Sequence, residues 1–287
     1  MCAGLDIGAD RIRLAVLRRR RGRLRLELLA EHAFGQVICN DGRIDDFELL
    51  AHGCRRLMRQ HMIHAGAVAM AIPAATVTLT PLVLPASSNE PQRLAQVRAE
   101  AAAHRRQSLD ELALDYRVLG PAPASPADVQ VLAVTAPAML VEDRLALAEA
   151  LGLQARAVVA DGWSLATFLR DGDGAAVLHL DAASAWMSRH AHHWQALAWR
   201  GDGASITALL EELAPLLRPS PPRLLLSGDA AALNPVAAAL RKYAGIPAAV
   251  AALPPRILVA GHVAAAIAPR RLPAFHCAVA LAGEGLT

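Results

Sequence analysis

Gly4-Leu5-Asp6-Ile7-Gly8-Ala9-Asp10-Arg11-Ile12-Arg13-Leu14-Ala15-Val16 begins as an apolar strand ending in an aspartate, passes through a turn of small residues, and continues with Ile12, Leu14 and Val16 at every second position. Arg21-Gly22 then supplies a tight turn, and Leu24, Leu26 and Leu28 resume the alternation, so residues 12–28 read as a β-hairpin with a basic tip. The pattern starts again further on. Val177-Leu178-His179-Leu180-Asp181 is another buried-type strand ending in Asp, followed by small residues and a second alternating segment. An opening repeated in each half of the chain predicts two similar lobes facing one cleft.

Outward from these two strands, a third strand is expected around Gln36 to Cys39, then an amphipathic helix from Asp45 to His61 with Phe47, Leu49, Leu50, Leu57 and Met58 on or near one face. Ala67 to Ile72 is apolar throughout, as suits a strand covered on both sides. No charged residue occurs from Ala65 to Asn89, a stretch long enough to span a bilayer, but Pro73, Pro81 and Pro85 break it and Thr76, Thr78 and Thr80 alternate with Val77 and Leu79 as a strand does. A charged helix follows from Glu90 to Arg106, then a helical or extended stretch ending in Asp115-Tyr116-Arg117-Val118-Leu119. Pro121, Pro123 and Pro126 mark a surface connection. Strands are expected at Val129 to Val134 and Ala155 to Val159, with helices at Met139 to Leu151, capped by Gly152, and after Asp161, which reads as an N-cap. In the second half a helix is expected over Ile206 to Leu217, with the last strand beginning at Arg223.

The chain has 287 residues, 54% of them apolar, which is ample for a globular core. Its net charge of +3 is uneven, with arginines clustered in Arg18 to Arg25, Arg55 to Arg59 and Arg98 to Arg106, a distribution that admits acidic partners or an anionic inner-leaflet lipid surface. Aromatic residues make up only 3%, too few for the stacking platforms of single-strand readers, so no nucleic-acid partner is expected. Cys2, Cys39, Cys54 and Cys277 have neither metal-site nor disulfide-scaffold spacing and read as reduced thiols, which implies a cytoplasmic location. Asp6, Asp10 and Arg11 interrupt any signal region. His190, His192 and His193 read as an exposed hairpin turn rather than a metal site, and no nucleophile elbow of the G-x-S-x-G kind surrounds Ser184 or Ser227.

Gly4-Leu5-Asp6-Ile7-Gly8-Ala9 resembles the first phosphate loop of the actin superfamily. Within it the chain is similar to the PilM family of type IV pilus assembly, relatives of the cell-division protein FtsA. The resemblance continues through Ala71-Ile72-Pro73, Leu84-Pro85, Leu114 to Gly120, Val141-Glu142-Asp143-Arg144, Val158 to Leu169, Leu225 to Leu233, Gly245-Ile246-Pro247 and Ala278 to Leu281, in that order. It implies an α/β fold of the actin-like, ribonuclease H-like duplicated kind: a first lobe from residues 1–84 and 129–173, an inserted FtsA/PilM-type subdomain at 85–128, and a reduced second lobe at 174–287. The reduction is read from the short segment between Thr207 and Arg223, where the family places a helical wall for the adenine.

The same resemblance places a vestigial nucleotide cleft at Asp6, Gly8, Ala9, Asp181, Ser184, Ser227 and Gly228. Ala9 stands where a hydroxyl is usual, Ala183 where the second loop needs glycine, and Asp229 where a second glycine normally admits the nucleotide, so ATP with magnesium is expected to bind weakly and no catalytic residue is assigned. The resemblance also implies the partner, the cytoplasmic tail of a PilN-like inner-membrane protein that would hold this chain at the membrane. Arg93, Arg98, Arg105, Tyr116 and Arg117 are the residues placed to receive it. Homo-oligomerisation is left open, as are the readings of an actin-like ATPase or filament protein and of a type II secretion component.

Overall fold

In the computed structural model, which describes residues 1–63, 65–103, 111–169, 175–181, 185–190, 193–197, 199, 205–218, 221 and 223–286, the chain divides into two units, one of Met1–Ala74 with Arg144–Thr287 and one of Ala75–Asp143. Along the chain the first unit supplies β1 (Cys2–Ile7), β2 (Arg11–Arg20), β3 (Arg23–Ala33), the short pair β4 (Cys39–Asn40) and β5 (Arg43–Ile44), α1 (Phe47–Gln60) and β6 (Ala67–Ile72). The second unit contributes β7 (Thr78–Pro85), α2 (Glu90–Ala103), β8 (Leu112–Ala122) and β9 (Ser125–Pro137), and α3 (Ala138–Ala150) leads back. The first unit resumes with β10 (Gln154–Ala160), α4 (Asp161–Leu169), β11 (Ala176–Leu180), β12 (Ala185–His190), β13 (His193–Leu197), α5 (Ser205–Leu216), β14 (Leu224–Gly228) and α6 (Ala230–Ala239). It ends with β15 (Ala248–Val250), β16 (Ile257–Val259), α7 (Gly261–Ala266) and α8 (His276–Glu284).

The first unit holds two sheets of one design. Strands β3-β2-β1-β6-β10 run in spatial order in the first, with β16 added outside β3, and β13-β12-β11-β14-β15 in the second. In both, the first three strands are antiparallel neighbours and the last two run parallel to the first. β1 and β11 therefore occupy equivalent places, and α5 connects β13 to β14 as α1 connects β3 to β6.

Alternation of side chains across a strand sorts the core into layers. Leu5, Ile12, Leu14 and Val16 face α1 and the second half of α3, whereas Ala15, Leu17 and Leu26 face a central layer with α4, α8, Val177, Trp186 and Leu225. On the far side Leu178, Leu180, Leu224 and Leu226 pack against α5 and α6. Helix α8 lies directly on β1, β2 and β6. The close seat depends on Gly4, where a Cβ would run into the Ala278 carbonyl and the Ala282 amide, and on the Ala-rich face of the helix.

The hairpin tip takes positive φ at both loop residues, +50° at Arg21 and +76° at Gly22, as the right-handed twist of the flanking strands requires. An arginine held there costs roughly 1–2 kcal/mol relative to an ordinary backbone conformation.

In the second unit the order is β7-β9-β8, all antiparallel, with α2 packed on one face through Val97 against Leu84, Val131 and Ala133. Helix α1 starts at Asp46, whose carboxylate accepts the Leu49 amide at 2.9 Å, and β6 covers the expected residues.

Three expectations fail for physical reasons. No strand forms over residues 36–39 as a unit, because β3 already runs to Ala33, Gly35 (φ +73°) turns the chain, and only Cys39–Asn40 pairs, with Arg43–Ile44. The surface connection expected at Pro121, Pro123 and Pro126 shrinks to the exposed turn at Pro123, while Pro121 and Pro126 sit inside β8 and β9 on either side of it, and Pro81 and Pro85 lie in β7. Edge positions and strand ends tolerate a missing N–H. Nor does the strand near Arg223 end the series, since β15 and β16 follow.

Candidate functional site

Strands β1 and β11 each carry an aspartate at or just beyond their ends. Asp6 stands in register with Arg13 on β2, and Asp181 follows Leu180. Arg13 connects them. Its Nη1 donates to Asp181 Oδ1 at 3.4 Å and its Nε to Glu31 Oε2 at 3.0 Å, and Arg271 Nη2 donates to Glu31 Oε1 at 2.9 Å. The result is a chain of alternating charge, Asp181–Arg13–Glu31–Arg271, running from the second sheet across the first to the 3-10 segment Pro269–Phe275. Arg13 is 4% exposed; burial opposes its charge, but the carboxylates of Asp181, Asp6 and Glu31 outweigh that effect and hold the guanidinium charged.

The two other carboxylates of this region lean the opposite way. Burial, reinforced by the charge on Asp181, lifts Asp6 to about 6 against the pull of Arg13 and a hydrogen bond with Cys277. Burial lifts Asp161 to about 7, with Asp6 and Asp181 adding to it and the Ala74 and Gly162 amides opposing. Asp161 Oδ1 accepts the Ala74 N–H at 2.7 Å and the Gly162 N–H at 2.5 Å, so it caps the start of α4 and ties it to the turn after β6. Ala74 is held on its other side by Trp194 Nε1, which donates to the carbonyl at 2.9 Å.

The residues expected to cradle phosphate are engaged within the protein. The Gly8 amide donates to the Arg11 carbonyl at 2.9 Å, and a Cβ at Gly8 would come within 3.5 Å of Asp181 Oδ2. The Ala9 carbonyl accepts the amides of Ile38 and Cys39 at 2.7 and 3.2 Å. Ser227 is buried, its hydroxyl 3.2 Å from His276 Nδ1 and 3.4 Å from the Pro273 carbonyl. Gly228 has φ +111°, and the Leu180 backbone fills the space a side chain would need, so both conformation and packing call for glycine there. Asp229 caps α6, accepting the Ala231 amide at 3.1 Å, so a carboxylate already sits at the helix end that would otherwise attract an anion. Ser184 and Ala183 lie outside the described residues, as does His192, and among the described residues no group of three or more His, Cys, Asp or Glu side chains is placed to hold a metal ion.

Sequence reasoning missed Arg13, Glu31, Arg271, His179 and His276. His179 and His276 are both buried, and burial lowers them to about 4 and about 3. A signal for Arg13 existed: Ala15 and Leu17, which share its side of β2, are apolar, so that face had to be covered. All four cysteines are buried and unbridged.

In the second unit, Tyr116 and Leu114 pack on the α2 side of the sheet beside Leu84, Val97, Val131 and Ala133. Arg117, next along β8, is exposed and points to the opposite face by alternation, while Arg98 is exposed on α2. Arg93 donates from Nη2 to the Ser88 carbonyl at 2.6 Å and so braces the turn before α2. The structure therefore distributes Tyr116 and Arg117 over the two faces of one strand. Arg105 lies outside the described residues. Among the described residues β8 pairs with β9 alone, leaving its other edge open.

Two sheets of identical strand order, each with an aspartate where its first strand ends, define an actin-like fold. The family model described as type IV pilus assembly protein PilM matches residues 4–170, and the chain belongs to that family. Among solved structures it is similar to a PilM-PilN type IV pilus biogenesis complex, with a TM-score of 0.80 and 20% identity over 100% of this chain and 98% of that one. The cytoplasmic domain of EpsL, an inner membrane component of the type II secretion system of Vibrio cholerae, gives 0.55 and 10% over 99% and 94%. The ethanolamine utilization protein EutJ from Carboxydothermus hydrogenoformans gives 0.50 and 10% over 98% and 88%. No curated protein matches the chain by sequence. Among the described residues no helix is long and apolar enough to cross a membrane.

Proposed function

We propose that the protein is a scaffold of type IV pilus assembly that captures the cytoplasmic tail of a PilN-like inner-membrane protein along β8 of the three-stranded unit, and that this contact brings it to the membrane. The partner is suggested by family membership together with the similar solved structure, which is a complex with PilN. The observation that carries the position is the open edge of β8: an extended peptide beside that strand reaches Tyr116 from one face and Arg117 from the other. Arg98 extends the polar rim on the α2 side, and Arg93 positions the turn that leads into it.

Nucleotide hydrolysis has no part in this reading. The amide of Gly8 and the N-terminus of α6 are already engaged, and Arg13 supplies within the chain the positive charge that a bound metal would otherwise bring to Asp6 and Asp181. Titration of a synthetic peptide of the partner's N-terminal tail tests the reading. Arg98→Ala with Arg117→Ala should weaken it by roughly tenfold or more, as loss of charge-assisted contacts does. Tyr116→Ala is the poorer probe because that ring also fills the unit's own core. A peptide that ignores the wild-type protein, or binds both forms equally, removes β8 as the receptor.

A further inference from the structure

The hairpin joining β2 to β3 carries Arg18, Arg19, Arg20, Arg21, Arg23 and Arg25, all exposed, around its two-residue loop. Arg18 is in register with Arg25 and Arg20 with Arg23, which gathers these four on one face of the ribbon, while Arg19, opposite Leu24, takes the other face and Arg21 stands at the tip. A single carboxylate answers them: Glu27 lies 4.0 Å from Arg18 and 3.7 Å from Arg25, and within the described residues Arg19, Arg20, Arg21 and Arg23 form no ion pair. The loop also holds Arg21 at positive φ, where asparagine or glycine would sit with less strain. Beside the ribbon, β16 places Leu258 in register with Arg25, and Leu258 and Val259 are 45% and 40% exposed.

We propose that this hairpin, with the adjoining β16 edge, seats on an anionic phospholipid surface. The inference rests on the reading of the protein as an assembly factor beside a membrane. Two features favour lipid over an acidic protein or a nucleic acid. Headgroups can gather along the four-arginine face, around the tip at Arg21 and onto Arg19 behind it while exposed aliphatic side chains enter the interface, whereas a rigid acidic surface meets one face only. No Phe, Tyr or Trp occurs in residues 18–33 to stack on bases.

The test is cosedimentation of the full chain with vesicles of phosphatidylglycerol in phosphatidylcholine, and with phosphatidylcholine alone. A basic side chain near such a surface contributes roughly fivefold in affinity. Replacing Arg19, Arg20, Arg21 and Arg23 together by Gln should therefore weaken binding to the anionic vesicles by nearly three orders of magnitude, leave the thermal midpoint no lower, and leave titration of the tail peptide unchanged. Binding of the wild type should also fall steeply with added salt. Vesicle binding by a wild-type protein that ignores the tail peptide would sink the partner reading and still support this one. The proposal is overturned if anionic vesicles fail to bind the wild type, if phosphatidylcholine alone binds as well, if the fourfold variant keeps its affinity, or if polyglutamate or RNA competes at equal charge concentration as strongly as lipid.

Discussion

Replacing Arg13 by methionine keeps an apolar stem of similar length and removes the charge at the centre of the Asp181–Arg13–Glu31–Arg271 chain. Asp181 and Glu31 lose partners at 3.4 and 3.0 Å, and Asp6 loses the charge that restrains its upward shift. Breaking a buried ion pair from one side costs about 3–5 kcal/mol, because the carboxylates left behind stay largely desolvated with less positive charge to offset them, Glu31 keeping Arg271. In a chain of this size that lowers the thermal midpoint by about 10 °C. The loss has a signed pH dependence: without Arg13 the carboxylates bind protons more readily when folded, so the deficit is largest near pH 8 and shrinks as acid neutralises them. Urea unfolding at pH 5 and pH 8 measures both parts. Adding Asp181→Asn to Arg13→Met should restore part of the stability at pH 8, since it removes one of the carboxylate charges that Arg13 offset. A single variant within 1 kcal/mol of wild type, or one equally destabilised at both pH values, would refute the role given to Arg13.

Gly4→Ala should cost about 3 kcal/mol or more, because the added Cβ meets the backbone of α8 rather than a movable side chain; a thermal melt within a few degrees of wild type would contradict that packing. His179 and His276, lowered by burial to about 4 and about 3, stabilise the fold above pH 6.5 and withdraw that stability as pH falls toward those values, whereas Asp6 and Asp161, raised to about 6 and about 7, add stability over the same descent. Asp161→Asn, which can still accept the Ala74 amide, removes one acid-favoured group, so its urea midpoint should drop more than that of wild type between pH 7 and pH 5; an equal drop would show that Asp161 is not raised.

The duplicated plan was legible because its signal is local. Two strands of the same apolar character, Gly4–Asp6 and Val177–Asp181, each end in aspartate, and the structure gives them equivalent places in two sheets of one order. Loop chemistry was legible where one residue decides it, as at Arg21-Gly22 and at Gly152, which follows α3 with φ +66°. What escaped was set by residues far apart in sequence. Ala15 and Leu17 beside Arg13 say that its side of β2 is covered but not by what, and its partners lie 18 residues away at Glu31 and 168 away at Asp181. The hydroxyl of Ser227 looked available in a loop, but the 3-10 segment that carries Pro273 and the helix that starts at His276 cover it. Prolines misled for a similar reason: whether they end a strand or sit harmlessly in one depends on which edge is paired, and that is fixed only by the assembled sheet.

The central claim, capture of a membrane protein's tail without a nucleotide cycle, is tested most directly by calorimetric titration of the tail peptide into the wild-type protein with and without saturating ATP and magnesium. The expected result is one dissociation constant in both conditions. Binding that requires ATP, or that strengthens tenfold with it, would contradict the claim and return the cleft around Asp6 and Asp181 to the role of a working nucleotide site.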